Sequence, residues 1–372
     1  NLSLWKTFPV ISRNSSFTFK NKSVNLKEVS EELRARYIVE GSVRKGGNRI
    51  RITAQLIDAH ADHHLWSKKW DRNIDDIFEV QDEVSTSIAA QVNPMLGSYE
   101  TERIERSKPN NFNAWEYYLK SLQMFNERSS KDGKDDNLAK SRELCEKAIE
   151  LDPGLSHGHS MLARICYHEL VQFINQDSEK TLNDMFEHSK KATELDPQNP
   201  VAALMISTYY FFKGKFSQSR KYAEKAVELN PSYPEAYMRL AQAITHSGDY
   251  ENSEELLRKS VEINPLDPHV MGRKSNYFFI YMGQKDYQKA YELIEEVLEE
   301  DSNQGSYKGF KASVMGYLNK GDEAKTALDE YLSLRPNLKT KDDYKKIFVP
   351  NSSLADIIVE GLCRAGWEPN KS

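Results

Sequence analysis

The chain has 372 residues, 29% of them charged, with 17 glycines, 13 prolines, 3 cysteines and a formal net charge of -5. That length allows two domains and a large buried core, and the mild acidity argues against a general affinity for polyanions. No apolar run is long enough to span a bilayer, and the irregularly spaced Cys145, Cys166 and Cys363 suit neither a disulfide framework nor a zinc site.

There is no signal peptide, so the chain is expected to be soluble as given, in the cytoplasm with the periplasm as the alternative. It begins at Asn1 instead of methionine, as expected of a piece of something longer.

In chain order, residues 8–13 read as a short strand ended by the turn Asn14-Ser15-Ser16. Asn25 and Glu28 form the capping box of a helix whose Leu26, Val29 and Leu33 share one face. Residues 37–44 and 49–58 read as a hairpin around Lys45-Gly46-Gly47-Asn48, with Ile50, Ile52, Ala54 and Leu56 alternating against polar neighbours. A third strand is expected at 65–71, and then a helix over 76–92 with Ile77, Val84, Ile88 and Val92 as its apolar stripe. A strand, a crossover helix and a further strand imply an α/β sheet whose first strand needs a parallel neighbour.

Beyond a polar bridging stretch, Glu194-Leu195-Asp196-Pro197, Glu228-Leu229-Asn230-Pro231 and Glu262-Ile263-Asn264-Pro265 recur every 34 residues. This is the period of a helix-turn-helix repeat. Small residues (Ser207, Ala241, then Ala226, Ser260) mark where paired helices come close, and Gly214 and Gly248 mark left-handed turns between them. Units ending near Ser302 and Pro336 fit less well, with Lys274 and Lys311 at positions that ordinarily carry an apolar residue. The excess length of the first unit falls in the polar stretch 129–136, and that of the second around 172–184. Helices near 342–347 and 354–365, with Trp367 beneath, would cap the array.

These units resemble tetratricopeptide repeats, which stack antiparallel helix pairs into a superhelix with a concave groove. A second resemblance rests on Val10-Ile11-Ser12-Arg13, Tyr37-Ile38-Val39-Glu40-Gly41-Ser42-Val43-Arg44, Arg51-Ile52-Thr53-Ala54-Gln55-Leu56-Ile57-Asp58, His64-Leu65-Trp66 and Asp76-Ile77-Phe78-Glu79-Val80. This part is similar to the TolB-like amino-terminal domain of bacterial regulators of the class III adenylate/guanylate cyclase type. Members of that family start the domain with an earlier strand and helix, and carry an upstream output domain. The implied fold class is a truncated TolB-like α/β domain followed by an all-α superhelix of about six helix pairs plus capping helices. The expected domains are 1–95 (α/β), 96–111 (linker), 112–338 (repeats) and 339–372 (cap).

Chemistry is sparse in this sequence. Gly41, Gly46 and Gly47 lack the lysine-serine/threonine ending of a phosphate loop. Asp58, His60, Asp62, His63 and His64 read as a solvated connection instead of a metal site, and His157 and His159 as groove-lining or exposed. Arg44, Lys45, Arg49, Arg51, Lys68 and Lys69 are expected on the wet strand face without interleaved aromatics, so nucleic acid is not expected. No catalytic residue, metal or cofactor is expected.

The repeat resemblance places the groove on the first helix of each pair. The candidates are Arg164, Tyr167 and His168; Thr208, Phe211 and Phe212; Met238, Gln242 and His246; and Asn276 and Phe279. Aromatics with a few polar donors suit a protein or peptide partner. The expected function is a non-enzymatic regulatory and scaffolding module that acts on an upstream output domain, and self-association into a homodimer stays open. The alternatives are the carboxy-terminal portion of an adenylate/guanylate cyclase, or a small-molecule sensor.

Overall fold

The structure, a computed structural model, describes residues 10–20, 22, 24–59, 63–73, 111–127, 136–171, 177–264, 276–300, 305–347 and 352–370. They fall into two units. The first comprises Asn1–Ile206, Lys225–Tyr233 and Ile263–Leu266, and the second Ser207–Glu224, Pro234–Glu262 and Asp267–Ser372.

The first unit begins with helix α1 (Arg13–Phe17), which takes in the turn Asn14-Ser15-Ser16 expected to end a strand over 8–13. Residues 10–12 have no regular structure, and Phe8 lies outside the described residues. The cause is tertiary. Val10 N–H donates to Ser232 Oγ at 2.9 Å, Ser12 N–H to the Ile263 carbonyl at 3.0 Å, and the Ser12 and Ser15 hydroxyls both reach Asn264 Oδ1. Ser12 also accepts from Ser15 N–H as a helix cap, a role its side chain suits better than a place in a ladder. Helix α2 (Leu26–Leu33) buries Val29 and Leu33; Asn25 caps it by accepting from Lys27 N–H.

Strands β1 (Tyr37–Gly46), β2 (Arg49–Asp58) and β3 (His63–Asn73) form a sheet of order β1-β2-β3. Both pairings are antiparallel. The parallel neighbour expected of an α/β sheet is thus not needed: the described strands are joined as a meander. Gly47, with φ 61°, makes the tight β1–β2 turn that a residue with a Cβ would strain. The predicted helix over 76–92 lies outside the described residues.

The first unit continues with α3 (Phe112–Asn126), α4 (Asp136–Leu151), α5 (Ser156–Val171) and α6 (Ser178–Leu195). Phe125, Leu138, Cys145, Met161, Leu162 and Ile165 form a core among α3, α4 and α5. Where α3 crosses α4, the Ser121 hydroxyl bonds the Ser141 carbonyl at 2.7 Å and the Ser141 hydroxyl returns to the Ser121 carbonyl at 2.9 Å. A small side chain lets the backbones approach, and its hydroxyl then satisfies a buried carbonyl.

Helices α7 (Pro200–Phe212) and α8 (Phe216–Leu229) each have residues in both units. The second unit contains α9 (Pro234–Thr245), α10 (Tyr250–Ile263) up to its last residue, α11 (Asn276–Gln284), α12 (Tyr287–Glu300), α13 (Gly305–Tyr317), α14 (Gly321–Ser333), α15 (Lys341–Ile347) and α16 (Ser353–Arg364). The serine device recurs there: Ser207 donates to the Ser219 carbonyl at 2.6 Å, Ser253 to the Ala241 carbonyl at 2.9 Å and Ser260 to the Pro234 carbonyl at 2.7 Å.

Gly214 (φ 64°) and Gly248 (φ 88°) end the first helices of two pairs in left-handed turns, as their spacing predicts. In the next two pairs that place is held by Lys285 (φ 62°) and Asn319 (φ 53°). Lys311 is tolerated because its ammonium pairs with Glu295 of α12 at 2.7 Å; Lys274 lies outside the described residues. The carboxy-terminal core joins Phe278, Ile294, Phe310 and Leu328 to Ile358, Leu362 and Trp367.

Candidate interaction site

In the second unit, Arg239, Gln242 and His246 recur every three or four residues along α9 and just past its end, so they share one side of it. Arg239 is only 4% exposed, and its guanidinium carbon lies 4.7 Å from the Phe211 ring centroid. His246 is packed edge-on to Phe211 at 5.1 Å, stacked on Phe216 at 4.9 Å and 6.2 Å from Phe279. Its Nδ1 pairs with the Ser352 hydroxyl. Burial, with the Arg239 charge adding to it, holds the His246 pKa down at about 4, so the ring is neutral near pH 7.

Gln242 Nε2 donates to Asn276 Oδ1 at 2.6 Å, while its buried Oε1 meets no donor among the described residues. Thr208 is fully buried, and Phe211 and Asn276 are buried. Phe212 is half-buried with its ring edge-on to Phe211. Phe279 is half-buried, and Met238 packs on the Ala241, Leu257 and Ile280 cluster. The structure therefore brings Phe211, His246 and Phe279 together and joins Gln242 to Asn276.

Arg164, Tyr167 and His168 belong to the first unit and are half-buried on α5. The Arg164 guanidinium carbon stands 4.6 Å from the Phe125 centroid, and His168 meets the same ring edge-on at 4.9 Å. Each unit thus stacks an arginine of one first helix on a phenylalanine of the preceding first helix. Sequence reading missed Arg239, Phe125, Phe216 and Ser352. An arginine in a repeat helix reads as a solvated charge, and only the fold reveals an aromatic face beneath it.

Other candidates resolve differently. Asp58 is 3% exposed and accepts from Arg36 Nε and Nη2 at 3.0 and 2.8 Å, so its charge is already paired. His63 and His64 are exposed in β3, and His60 and Asp62 lie outside the described residues. Among the described residues, no group of three metal-ligating side chains occurs.

The basic surface is split by the pleat of the sheet. Arg44, Arg49, Arg51 and Lys69 share one face, whereas the register puts Lys45 and Lys68 on the other beside Trp66 and Trp70. Aromatics do interleave there: Lys68 Nζ lies 5.1 Å from the Trp70 centroid.

His157 and His159 are not exposed. His157 is half-buried with its ring edge-on to Trp115 and Tyr118, and His159 is buried against His188 of α6. Burial lowers the pKa of all three rings. Arg142 of α4 grips both carboxylate oxygens of Glu169 at 2.7 Å and contacts Cys166 Sγ at 3.2 Å, beside a cavity of ≈ 470 Å³. Both thiols of this region are buried, and burial raises their pKa, that of Cys145 to about 12. A second concavity of ≈ 460 Å³, in the other unit, is lined by Tyr291, Lys308, Lys311, Met315 and Glu330.

The family model described as tetratricopeptide repeat matches residues 204–268. The helical repeats within that stretch are of tetratricopeptide type. Over 170 residues the chain is 40% identical to a protein named Putative adenylate cyclase 3 from Rhizobium meliloti (strain 1021), covering 45% of this chain and 27% of that protein. The chain therefore spans about a quarter of the length of this curated relative.

Among solved structures, a thermophilic TPR protein of Thermus thermophilus is 15% identical with a TM-score of 0.40, covering 54% of this chain and 98% of that one. A tetratricopeptide repeat protein of Parabacteroides merdae ATCC 43184 is 14% identical with a TM-score of 0.40, covering 68% and 99%. Tetratricopeptide arrays present extended surfaces to other proteins. Among the described residues, no helix is long and apolar enough to cross a membrane.

Proposed function

We propose that this chain is a non-enzymatic regulatory and scaffolding module that binds an extended peptide or a helix of a partner protein. The carrying observation is the composition of the first-helix surface. Met238, Gln242 and Phe279 in one unit, and Arg164, Tyr167 and His168 in the other, are half-buried, combining apolar area with polar tips. Such groups gain contact area on binding while being held in place beforehand by their neighbours.

A peptide-display selection on the whole chain tests this reading. Peptides selected on the second unit's surface are expected to lose at least about tenfold in affinity with Gln242→Ala, and those selected on the first unit's surface with Arg164→Ala. Lys289→Ala on α12 serves as the unaffected control. Equal binding by all three variants would place the site elsewhere.

The named relative favours a second, compatible reading. The chain is then the carboxy-terminal portion of an adenylate/guanylate cyclase-type regulator, with a TolB-like sheet passing partner binding to an output domain upstream. Measurable cyclic nucleotide synthesis by this chain alone would contradict the non-enzymatic assignment.

A further inference from the structure

We propose that His159 and His188 form a two-imidazole site for a divalent transition-metal ion, on the α5–α6 helix pair. The Nδ1 atoms of the two rings are 3.3 Å apart. Two nitrogens so spaced, each at the usual zinc–nitrogen distance of about 2.0–2.1 Å from one ion, subtend about 107° at that ion, close to the tetrahedral angle.

The outer contact of His159 suits this role. Its Nε2 lies 3.2 Å from the Pro153 carbonyl oxygen. A carbonyl only accepts, so Nε2 carries the ring proton and the lone pair is left on Nδ1, facing His188. A backbone carbonyl on the far nitrogen is how ligating histidines are commonly oriented.

Without metal, His188 donates its Nδ1 proton to His159 Nδ1. On binding, that proton passes through solvent to His188 Nε2, and both Nδ1 lone pairs go to the ion with no net proton released. His188 is half-buried and the neighbouring Asp184 and Glu187 are exposed, and these carboxylates offset the nearby Arg142 and Lys191. Among the described residues no third protein ligand completes the set, so water fills the remaining positions. Imidazole donors suit zinc, nickel and copper, and the general order of divalent affinities puts copper first.

The test is titration of the full chain with Cu²⁺, followed by calorimetry and electron paramagnetic resonance. The wild type is expected to bind one ion with a two-imidazole nitrogen signature. His188→Gln and His159→Gln should each weaken that binding by about tenfold or more, while His64→Gln, on the exposed strand β3, leaves it unchanged. Circular dichroism checks that each variant is folded, and the half-exposed His188 makes its variant the decisive one. Unchanged affinity in folded His188→Gln, or a signature of one nitrogen, would overturn the proposal and leave a hydrogen-bonded histidine pair.

Discussion

The guanidinium of Arg239 lies over the ring of Phe211, 4.7 Å from its centroid, and is almost wholly removed from water. A charge in that position is compensated in part by the quadrupole of the ring. Replacing Phe211 by Leu, Arg239 by Met, and both together should give a coupling energy of about 0.5–2 kcal/mol by urea denaturation. Simple additivity of the two losses would show that the ring contributes only volume.

His246 makes stability depend on pH. Its folded pKa of about 4 lies below the ordinary value of 6.5. The folded state therefore resists protonation that the unfolded chain accepts. The stabilisation is complete above pH 6.5 and is lost as the pH falls towards 4, by at most about 3 kcal/mol. Denaturation midpoints of wild type and His246→Phe should converge as the pH is lowered through this window. Parallel curves would assign the acid sensitivity to other groups.

Lys285 occupies the left-handed position that Gly214 and Gly248 hold in earlier pairs, with φ 62° and an exposed side chain. An L-residue pays about 1–2 kcal/mol there, and glycine returns part of that as chain entropy in the unfolded state. Lys285→Gly is expected to raise the thermal midpoint, by about 0.5 kcal/mol of stability. A lower midpoint would mean that the lysine stem contributes more than the strain removes.

A Cβ on Gly316 would sit 2.1 Å from the carbonyl oxygen of Gly361, backbone against backbone. Neither helix can yield by rotating a side chain. Gly316→Ala should cost about 1–3 kcal/mol and loosen α13 from α16, measured as faster amide exchange in residues 353–364.

The Gly–Lys–Asn substitution at equivalent turns removes a sequence mark from the later repeats, in addition to the lysines at apolar positions of their first helices. Gly214 and Gly248 are legible because left-handed backbone selects glycine; Lys285 and Asn319 adopt the same turn without that mark. Lys311 is similar, since its pairing with Glu295 can be seen only when α12 and α13 are side by side. The candidate site was legible as residue types but not as contacts. Thr208 and Phe279 read alike as first-helix positions, yet one is fully buried and the other half-buried.

The sequence by itself determined the 34-residue helical period, the hairpin at Gly47 and the glycine turns, because these depend on local backbone preference and on periodic apolar residues. Tertiary structure alone decided that residues 13–17 become a helix and that Arg239 and His246 are buried. Each of those outcomes depends on a neighbour far away in the chain: Asn264 for Ser15, Phe211 for Arg239 and Ser352 for His246. Short polar or apolar segments have nearly degenerate local energies, so a few long-range hydrogen bonds or one aromatic face suffice to choose among them.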